Sequence, residues 1–467
     1  MKRKNILLAA VLAVVLAAAL AFAGCGSTTP VVTGVYATDN GYIVYYSDGT
    51  MSTLAGGGSE ITIDELYERY KEEYGDISYE EFLQKYLTVD VGADNASVIN
   101  GLLRSSVVVY SEFTVSEQGW FGQVNRGISV STGSGVIYRI DDDYTYIITN
   151  YHVVYNADAN ADNGDSNIAR ALHCYLYGSE GTPTATNRYD SQGYPIYSYG
   201  SNALACEYVG GSATADLVLL RVKTEELRRI NAGAVAVQFA EDYRVGETAI
   251  VIGNAEDLGT SVTEGIVSVD REKVKLSDVD GVTRTYQLMR VDAAAYGGNS
   301  GGGVFDAEGK LIGILNSGSR EAQNINFAIP VETVAGVAEN IYYYATDGDD
   351  STEGVYKVTL GVTVQYDNSR YEYDASTGYG SIRETITVQG VTGGSLADEM
   401  GLQTGDVLQS VTIDGKTYSI DRQYDLDDAL YRLQPGESCS LTYLRDGKVC
   451  ESSTVLAEAG DCSAIDL

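Results

Sequence analysis

Proline is nearly missing from these 467 residues, with five in all against 52 glycines. That excludes proline-rich stalks and favours tight turns between short strands. Cations are scarce as well: 31 Lys and Arg face 65 Asp and Glu, a net charge of −34. A field of that sign repels polyphosphate and so excludes nucleic acid as a partner. Histidine occurs twice, and no spacing of His, Cys, Asp and Glu has the form of a metal site, so no metal or other cofactor is expected. Hydrophobic residues, by contrast, make up 44% of the chain, enough for real cores, and the length suits two domains plus tails.

One apolar run is long. Lys2, Arg3 and Lys4 precede an uncharged stretch from Ile6 to Ala23, the pattern of a secretory signal over residues 1–24. The run is also long enough to span a bilayer as an uncleaved helix. Phe22-Ala23-Gly24-Cys25 resembles the bacterial lipobox, which implies diacylation of Cys25 and anchoring of an outward-facing protein in the cell membrane. Losing the signal removes three cations and takes the net charge from −34 to −37. Residues 25–60, rich in Gly, Ser, Thr and Tyr, read as a flexible tether. Thr62-Ile63-Asp64-Glu65 and Ser78-Tyr79-Glu80-Glu81 fit capping boxes, which predicts a helical hairpin over residues 61–90.

Beyond Ser105 the texture changes to short runs such as Val107-Val108-Val109-Tyr110, Tyr146-Ile147-Ile148 and Ala249-Ile250-Val251-Ile252, broken by Gly and Asp. Many short strands with turn signals predict barrels or a sandwich. Five cysteines remain after Cys25: Cys174, Cys206, Cys439, Cys450 and Cys462, an odd set in a setting that permits disulfides. Asp446-Gly447 reads as a two-residue hairpin turn that sets Arg445 against Lys448, Cys450 against Tyr443 and Cys439 against Thr454. In that register Cys439 and Cys450 do not bridge, while pairing of Cys174 with Cys206 stays open.

Three residues in the β region carry chemistry when taken together. His152 follows the strand ending Ile148-Thr149-Asn150, Asp216 opens the apolar run Leu217-Val218-Leu219-Leu220, and Ser300 lies inside Tyr296-Gly297-Gly298-Asn299-Ser300-Gly301-Gly302-Gly303. A serine hydroxyl attacks an acyl carbon only if a base takes its proton. Imidazole is the natural base near neutral pH, and a carboxylate can hold it in one tautomer. Each residue alone is a common loop or packing residue; the His…Asp…Ser order is one of those known for this triad.

The flanking words make the order specific. Gly133-Ser134-Gly135-Val136-Ile137, Thr149-Asn150-Tyr151-His152-Val153-Val154, Asp216-Leu217-Val218-Leu219-Leu220 and Val251-Ile252-Gly253-Asn254 come first. Val262-Thr263-Glu264-Gly265-Ile266-Val267-Ser268, Asp292-Ala293-Ala294 leading into Gly298-Asn299-Ser300-Gly301-Gly302, and Asn326-Phe327-Ala328-Ile329-Pro330 follow. In this order they resemble the HtrA (Deg) family of trypsin-like serine proteases. The resemblance implies a mostly β fold, a chymotrypsin-like double β-barrel over residues 100–345 with the site in the cleft. It implies His152 as general base, Asp216 as its orienter, Ser300 as nucleophile, and the N–H groups of Gly298 and Ser300 as the oxyanion hole. Asn316, Ser317 and Gly318 would line the substrate pocket, which shows no acidic base for Lys or Arg. The chain departs from the family at Gly303, where proline is usual and glycine would loosen the loop. It departs again in the interval from His152 to Asp216, which carries an insert over residues 178–204.

Residues 355–457 resemble the PDZ domain attached to HtrA proteases, through Leu360-Gly361-Val362, Ser395-Leu396-Ala397 and Gly401-Leu402-Gln403-Thr404-Gly405-Asp406-Val407-Leu408. That resemblance implies peptide binding at the Leu360, Gly361 and Val362 loop by addition of a strand to the sheet edge, and a helix from Leu426 to Leu433. An insert from Tyr366 to Ile382 follows the loop. Members of the family are often trimers joined through aromatic residues near the start of the protease domain, a place held here by Tyr110, Phe113, Trp120 and Phe121, although aromatic residues are more often core. Two functions compete. One is an anchored endopeptidase acting on unfolded or mislocalised proteins through an acyl-enzyme; the other is a non-proteolytic peptide-binding scaffold or sensor that keeps the fold.

Overall fold

The computed structural model describes residues 32–38, 41–46, 51–55, 95–118, 124–159, 167–277, 281–318, 324–347 and 354–465. The chain divides into two compact units, residues 1–92 and 93–467. In the first, β1 (Val32–Thr38), β2 (Gly41–Tyr46) and β3 (Met51–Ala55) form a three-stranded antiparallel sheet. Composition reads this stretch as a tether, but its Val, Ile and Tyr residues suit a pleated surface and they pair. The signal segment, Cys25, the expected helical hairpin, Trp120 and Phe121 lie outside the described residues.

The second unit opens with α1 (Asn95–Leu102) and builds barrel 1 from β4 (Ser106–Gln118), β5 (Val124–Ile140), β6 (Tyr144–Thr149), β7 (Ala171–Leu176), β10 (Leu204–Ser212) and β11 (Leu217–Lys223). Between β6 and β7 stands the one-turn helix α2 (Tyr151–Val154), and between β7 and β10 a hairpin of β8 (Thr184–Tyr189) and β9 (Pro195–Ser198). The barrel closes in the order β10-β11-β6-β5-β4-β7. After α3 (Thr224–Ile230), barrel 2 follows: β12 (Thr248–Gly253), β13 (Ser261–Ser277), β14 (Thr283–Val291), β15 (Gly303–Phe305), β16 (Leu311–Gly318) and β17 (Asn326–Pro330), closed as β12-β13-β14-β17-β16-β15.

Alternation explains both barrels. In β4, Val107 and Val109 point into the barrel interior while Val108 and Tyr110 pack on its other face. Each fully buried aliphatic side chain contributes roughly 1.5–3 kcal/mol. Barrel 2 fills with Val251, Met289, Val291, Val304 and Ile312. A third cluster joins Val136, Ile148 and Leu219 of barrel 1 to Ile252, Leu288 and Ile314 of barrel 2. Helix α4 (Val331–Thr346) adds Val334, Val337, Ala338 and Ile341 to that cluster, the spacing of one helical face. The two barrels thus share one packed apolar cluster.

The last region carries its own core around Leu360, Val388, Leu396, Val411 and Leu441. Its strands are β18 (Val355–Val358), β19 (Val362–Asp374), β20 (Tyr379–Val391), β21 (Val407–Ile413), β22 (Lys416–Ser419), β23 (Ser438–Arg445), β24 (Lys448–Glu451), β25 (Val455–Leu456) and β26 (Cys462–Ile465), with short helices α5 (Leu396–Glu399) and α6 (Asp425–Leu430). The main sheet runs β19-β20-β21-β23-β24, so β19 is an edge strand. The Tyr366 to Ile382 insert is a ribbon that lengthens β19 and β20 beyond the sheet. The five described cysteines are free. Cys450 faces Tyr443 as expected, but Cys439 faces Val455 rather than Thr454, because the pairing breaks between β24 and β25 and resumes one residue later. Cys174 and Cys206 lie diagonally on β7 and β10, opposite Leu204 and Leu172.

Candidate active site

Asp216 sits just before β11 with φ at +52°, a left-handed conformation that aspartate tolerates better than most residues. Asn150 holds it there by donating Nδ2–H to the Asp216 carbonyl at 2.9 Å. The same Asn150 stands between β6 and α2, so one side chain ties the aspartate to the turn that carries His152. The Asp216 carboxylate accepts His152 N–H at 2.9 Å through Oδ1, and lies 2.8 Å from His152 Nδ1 through Oδ2. Opposite a carboxylate, Nδ1 carries the proton and Nε2 is left as the basic atom. Asp216 is 5% exposed, and its low-dielectric surroundings strengthen the pairing.

A third donor reaches the same carboxylate. Asn316 Nδ2–H donates to Asp216 Oδ2 at 2.6 Å. Sequence reasoning assigns Asn316 to the substrate pocket; its side chain is instead buried and turned towards Asp216. Its carbonyl accepts the Ser300 hydroxyl at 3.1 Å. Asn316 therefore bonds both Asp216 and Ser300, and nothing in the sequence beyond its place on a strand signalled this. Ser317 and Gly318 end β16, with the Ser317 hydroxyl oxygen buried and unpartnered.

The loop before Ser300 is held as a template for charge. Gly297 O accepts Glu256 N–H at 2.7 Å. A trans peptide sets C=O and N–H on opposite sides, so the Gly298 N–H points away from that turn. Among the described residues neither Gly298 N–H nor Ser300 N–H donates to any protein acceptor. Gly298 has φ +94°, and a Cβ there would land on Asn254 O, so both conformation and space require glycine. Ser134, a residue the sequence reading quotes but gives no role, donates Oγ–H to Gly298 O at 2.8 Å and accepts Asn254 N–H at 2.8 Å.

Gly303 does not loosen the loop. It belongs to β15, is buried, and pairs with Ile252 and Ile314. The volume a Cβ would need is filled by the Phe305 ring and Val136. Gly297 has open space around it, and nothing in the structure explains why it is glycine. Tyr110 and Phe113, named above as trimer contacts, are 5% and 2% exposed and pack within their own chain. No group of three or more His, Cys, Asp or Glu is placed to hold a metal among the described residues.

A double six-stranded barrel with His, Asp and Ser at its cleft can run acyl transfer, with Nε2 as proton acceptor and two free N–H groups available to an oxyanion. Residues 133–314 match the family described as trypsin-like peptidase domain, and the chain is a serine endopeptidase of the trypsin-like class. Its relatives include the serine protease Do-like HtrA of Lactococcus lactis subsp. cremoris (strain MG1363), 27% identical over 397 residues that span 80% of this chain and 85% of that protein. The serine protease Do-like HtrA of Bacillus subtilis (strain 168) is 27% identical over 347 residues, 71% of this chain and 66% of that one. Among solved structures, HtrA-type protease AlgW with decapeptide is 24% identical and superposes with a TM-score of 0.45, covering 78% of this chain and 99% of the other. Over most of its length the chain is similar to HtrA serine proteases.

Proposed function

We propose that this protein is an extracytoplasmic endopeptidase, anchored through a lipidated Cys25, that cleaves unfolded or mislocalised proteins with Ser300 as nucleophile. The observation that carries the reading is Asp216 with its two side-chain donors, His152 and Asn316, at 2.8 and 2.6 Å. In the reaction, His152 Nε2 takes the Ser300 proton as Oγ attacks the scissile carbonyl. Asp216 stabilises the resulting imidazolium, and Gly298 N–H and Ser300 N–H receive the oxyanion. His152 then protonates the leaving amine, and water repeats the sequence on the acyl-enzyme. Ser300 first exchanges its resting bond to Asn316 O for one to His152.

Residues 355–457 act as a PDZ domain in this reading. Leu360 O and Gly361 O are tied by Ala397 N–H and Thr392 N–H at 2.9 and 2.8 Å, which braces the loop beside the open edge of β19. A peptide would add there as a strand, its carboxylate on the loop N–H groups. An export signal, and a relative from Brucella suis named a probable periplasmic serine endoprotease, support action outside the cytoplasm.

Fluorophosphonate labelling of the full chain tests the chemistry, beside hydrolysis of unfolded casein. Wild type is expected to label and turn over, and Ser300→Ala to do neither. A wild type that stays unlabelled with casein and C-terminal peptides present would establish the scaffold alternative. Mass spectrometry of the mature N-terminus is expected to find a diacylglyceryl group on Cys25.

A further inference from the structure

We infer that Tyr110, on β4 of barrel 1, is a positioning residue for the oxyanion loop of barrel 2: its hydroxyl anchors the turn whose Glu256 N–H fixes the Gly297–Gly298 peptide. The inference rests on the proposed role of Ser300 and Gly298.

The turn between β12 and β13 is strained. Glu256 and Asp257 have φ of +55° and +56°, two successive non-glycine residues in the left-handed region. Such residues cost about 1–3 kcal/mol each and persist only where surrounding contacts over-determine them. Those contacts come from barrel 1 and from the turn itself. Tyr110 Oη donates to Asp257 Oδ1 at 2.6 Å, a charge-assisted bond in a half-buried place. Asn254 Nδ2 reaches the same Oδ1 and Thr132 Oγ1, each at 3.2 Å, and Asn254 Oδ1 accepts Gly259 N–H at 2.9 Å. Tyr110 makes the shortest of these bonds, and among the described residues it is the one that brings barrel 1 directly to the Asp257 side chain.

The tyrosine is itself braced. Tyr175 meets its ring edge-on, with centroids 5.7 Å apart and planes at 83°. Tyr175 Oη in turn donates to Tyr199 O, in the insert of residues 178–204. Tyr199 Oη donates to Glu112 at 2.8 Å, and Arg170 clamps Glu112 to Asp190 within 2.7 and 2.9 Å. The insert therefore backs the wall from which Tyr110 projects. Burial, with the Asp257 carboxylate beside it, raises the Tyr110 phenol well above its ordinary range, so it stays a donor wherever the enzyme works.

Remove the hydroxyl and Asp257 loses its strongest partner. The turn relaxes towards ordinary backbone angles, Glu256 N–H leaves Gly297 O, and the peptide is free to rotate its carbonyl to where the Gly298 N–H belongs. One oxyanion donor is typically worth 10²–10³ in kcat. Because the donor acts on charge that develops in the transition state, ground-state binding is spared.

The test uses the full chain and a chromogenic peptide, with kcat, KM and the inhibition constant of a matching peptide boronate, which mimics the tetrahedral state. Tyr110→Phe and Asp257→Ala are expected to lose roughly ten- to hundredfold in kcat and in boronate affinity together, with KM within about twofold of wild type. Asp257→Asn, which keeps an acceptor oxygen, is expected to recover most of both. An active wild type with Tyr110→Phe unchanged in kcat and boronate affinity would overturn the inference. So would a kcat loss that merely tracks a lower melting temperature and less folded protein. A wild type with no Ser300-dependent turnover would sink the protease reading itself, and this inference with it.

Discussion

Asp216 shows how much one side chain can organise. Its carboxylate accepts from His152 N–H, His152 Nδ1–H and Asn316 Nδ2–H, and its carbonyl accepts from Asn150. The imidazole has no freedom to turn while those bonds hold. Asn316 is the member that a sequence reader assigns elsewhere, because a residue's place beside a pocket says nothing of where its amide points. A hydrogen bond to a charged group is worth about 1.5–3 kcal/mol. Asn316→Ala is therefore expected to lower kcat roughly ten- to hundredfold, and steady-state kinetics on casein peptides will show whether KM stays put as a positioning role requires.

At the scale of elements, the loop around Ser300 owes its shape to its neighbours. Gly301 N–H and Leu315 N–H donate to Leu315 O and Gly302 O at 2.9 and 2.8 Å, so the loop is stitched to β16. Strand β15 then begins at Gly303, where the Phe305 ring folds back over the glycine. A methyl at this position would press into that ring from a strand paired on both sides. Overpacking of this kind costs about 1–3 kcal/mol. Gly303→Ala is expected to lower the unfolding free energy from urea denaturation by that amount, with Ser300 labelling retained in the folded fraction. Glycine where the family prefers proline was legible in the sequence; that an aromatic two residues on fills the gap was not.

At the scale of the whole second unit, barrel 2 and the C-terminal region meet across a buried polar seam. Arg271 pairs with Asp428 at 2.7 Å, Thr333 bridges both, and Tyr424 covers the guanidinium with its ring centroid 3.8 Å away. Two carboxyls border this cluster. Burial pushes Glu332 up to about 7 and Asp425 up to about 7, against the attraction of Arg271. Both values lie above those of the unfolded chain, so between pH ~4 and ~7 the native state binds more protons. Unfolding free energy from these groups therefore falls as pH rises through that window and is level above it. Urea midpoints are expected to be higher at pH 5.5 than at pH 8. Glu332→Gln should raise the unfolding free energy at pH 8 by on the order of 1–3 kcal/mol and shrink the difference. A pH difference unchanged in Glu332→Gln would remove Glu332 from this account.

Two kinds of information divide cleanly in this protein. The short strands and the hairpin at Asp446-Gly447 were legible in the chain from alternation and turn chemistry, while the double barrel and the grouping of His152, Asp216 and Ser300 were implied by the resemblance of short local words to a known family. The strands within residues 32–55 were hidden by a Gly, Ser and Thr content that suits a tether equally well. The second bond partner of Asp216, the role of Ser134, the clamp of Glu256 on Gly297 and the reach of Tyr110 to Asp257 were decided only in three dimensions. Each joins residues far apart in sequence through a hydrogen bond whose direction depends on where two barrels meet. Sequence determines which atoms are available; only the packed fold determines which of them face each other.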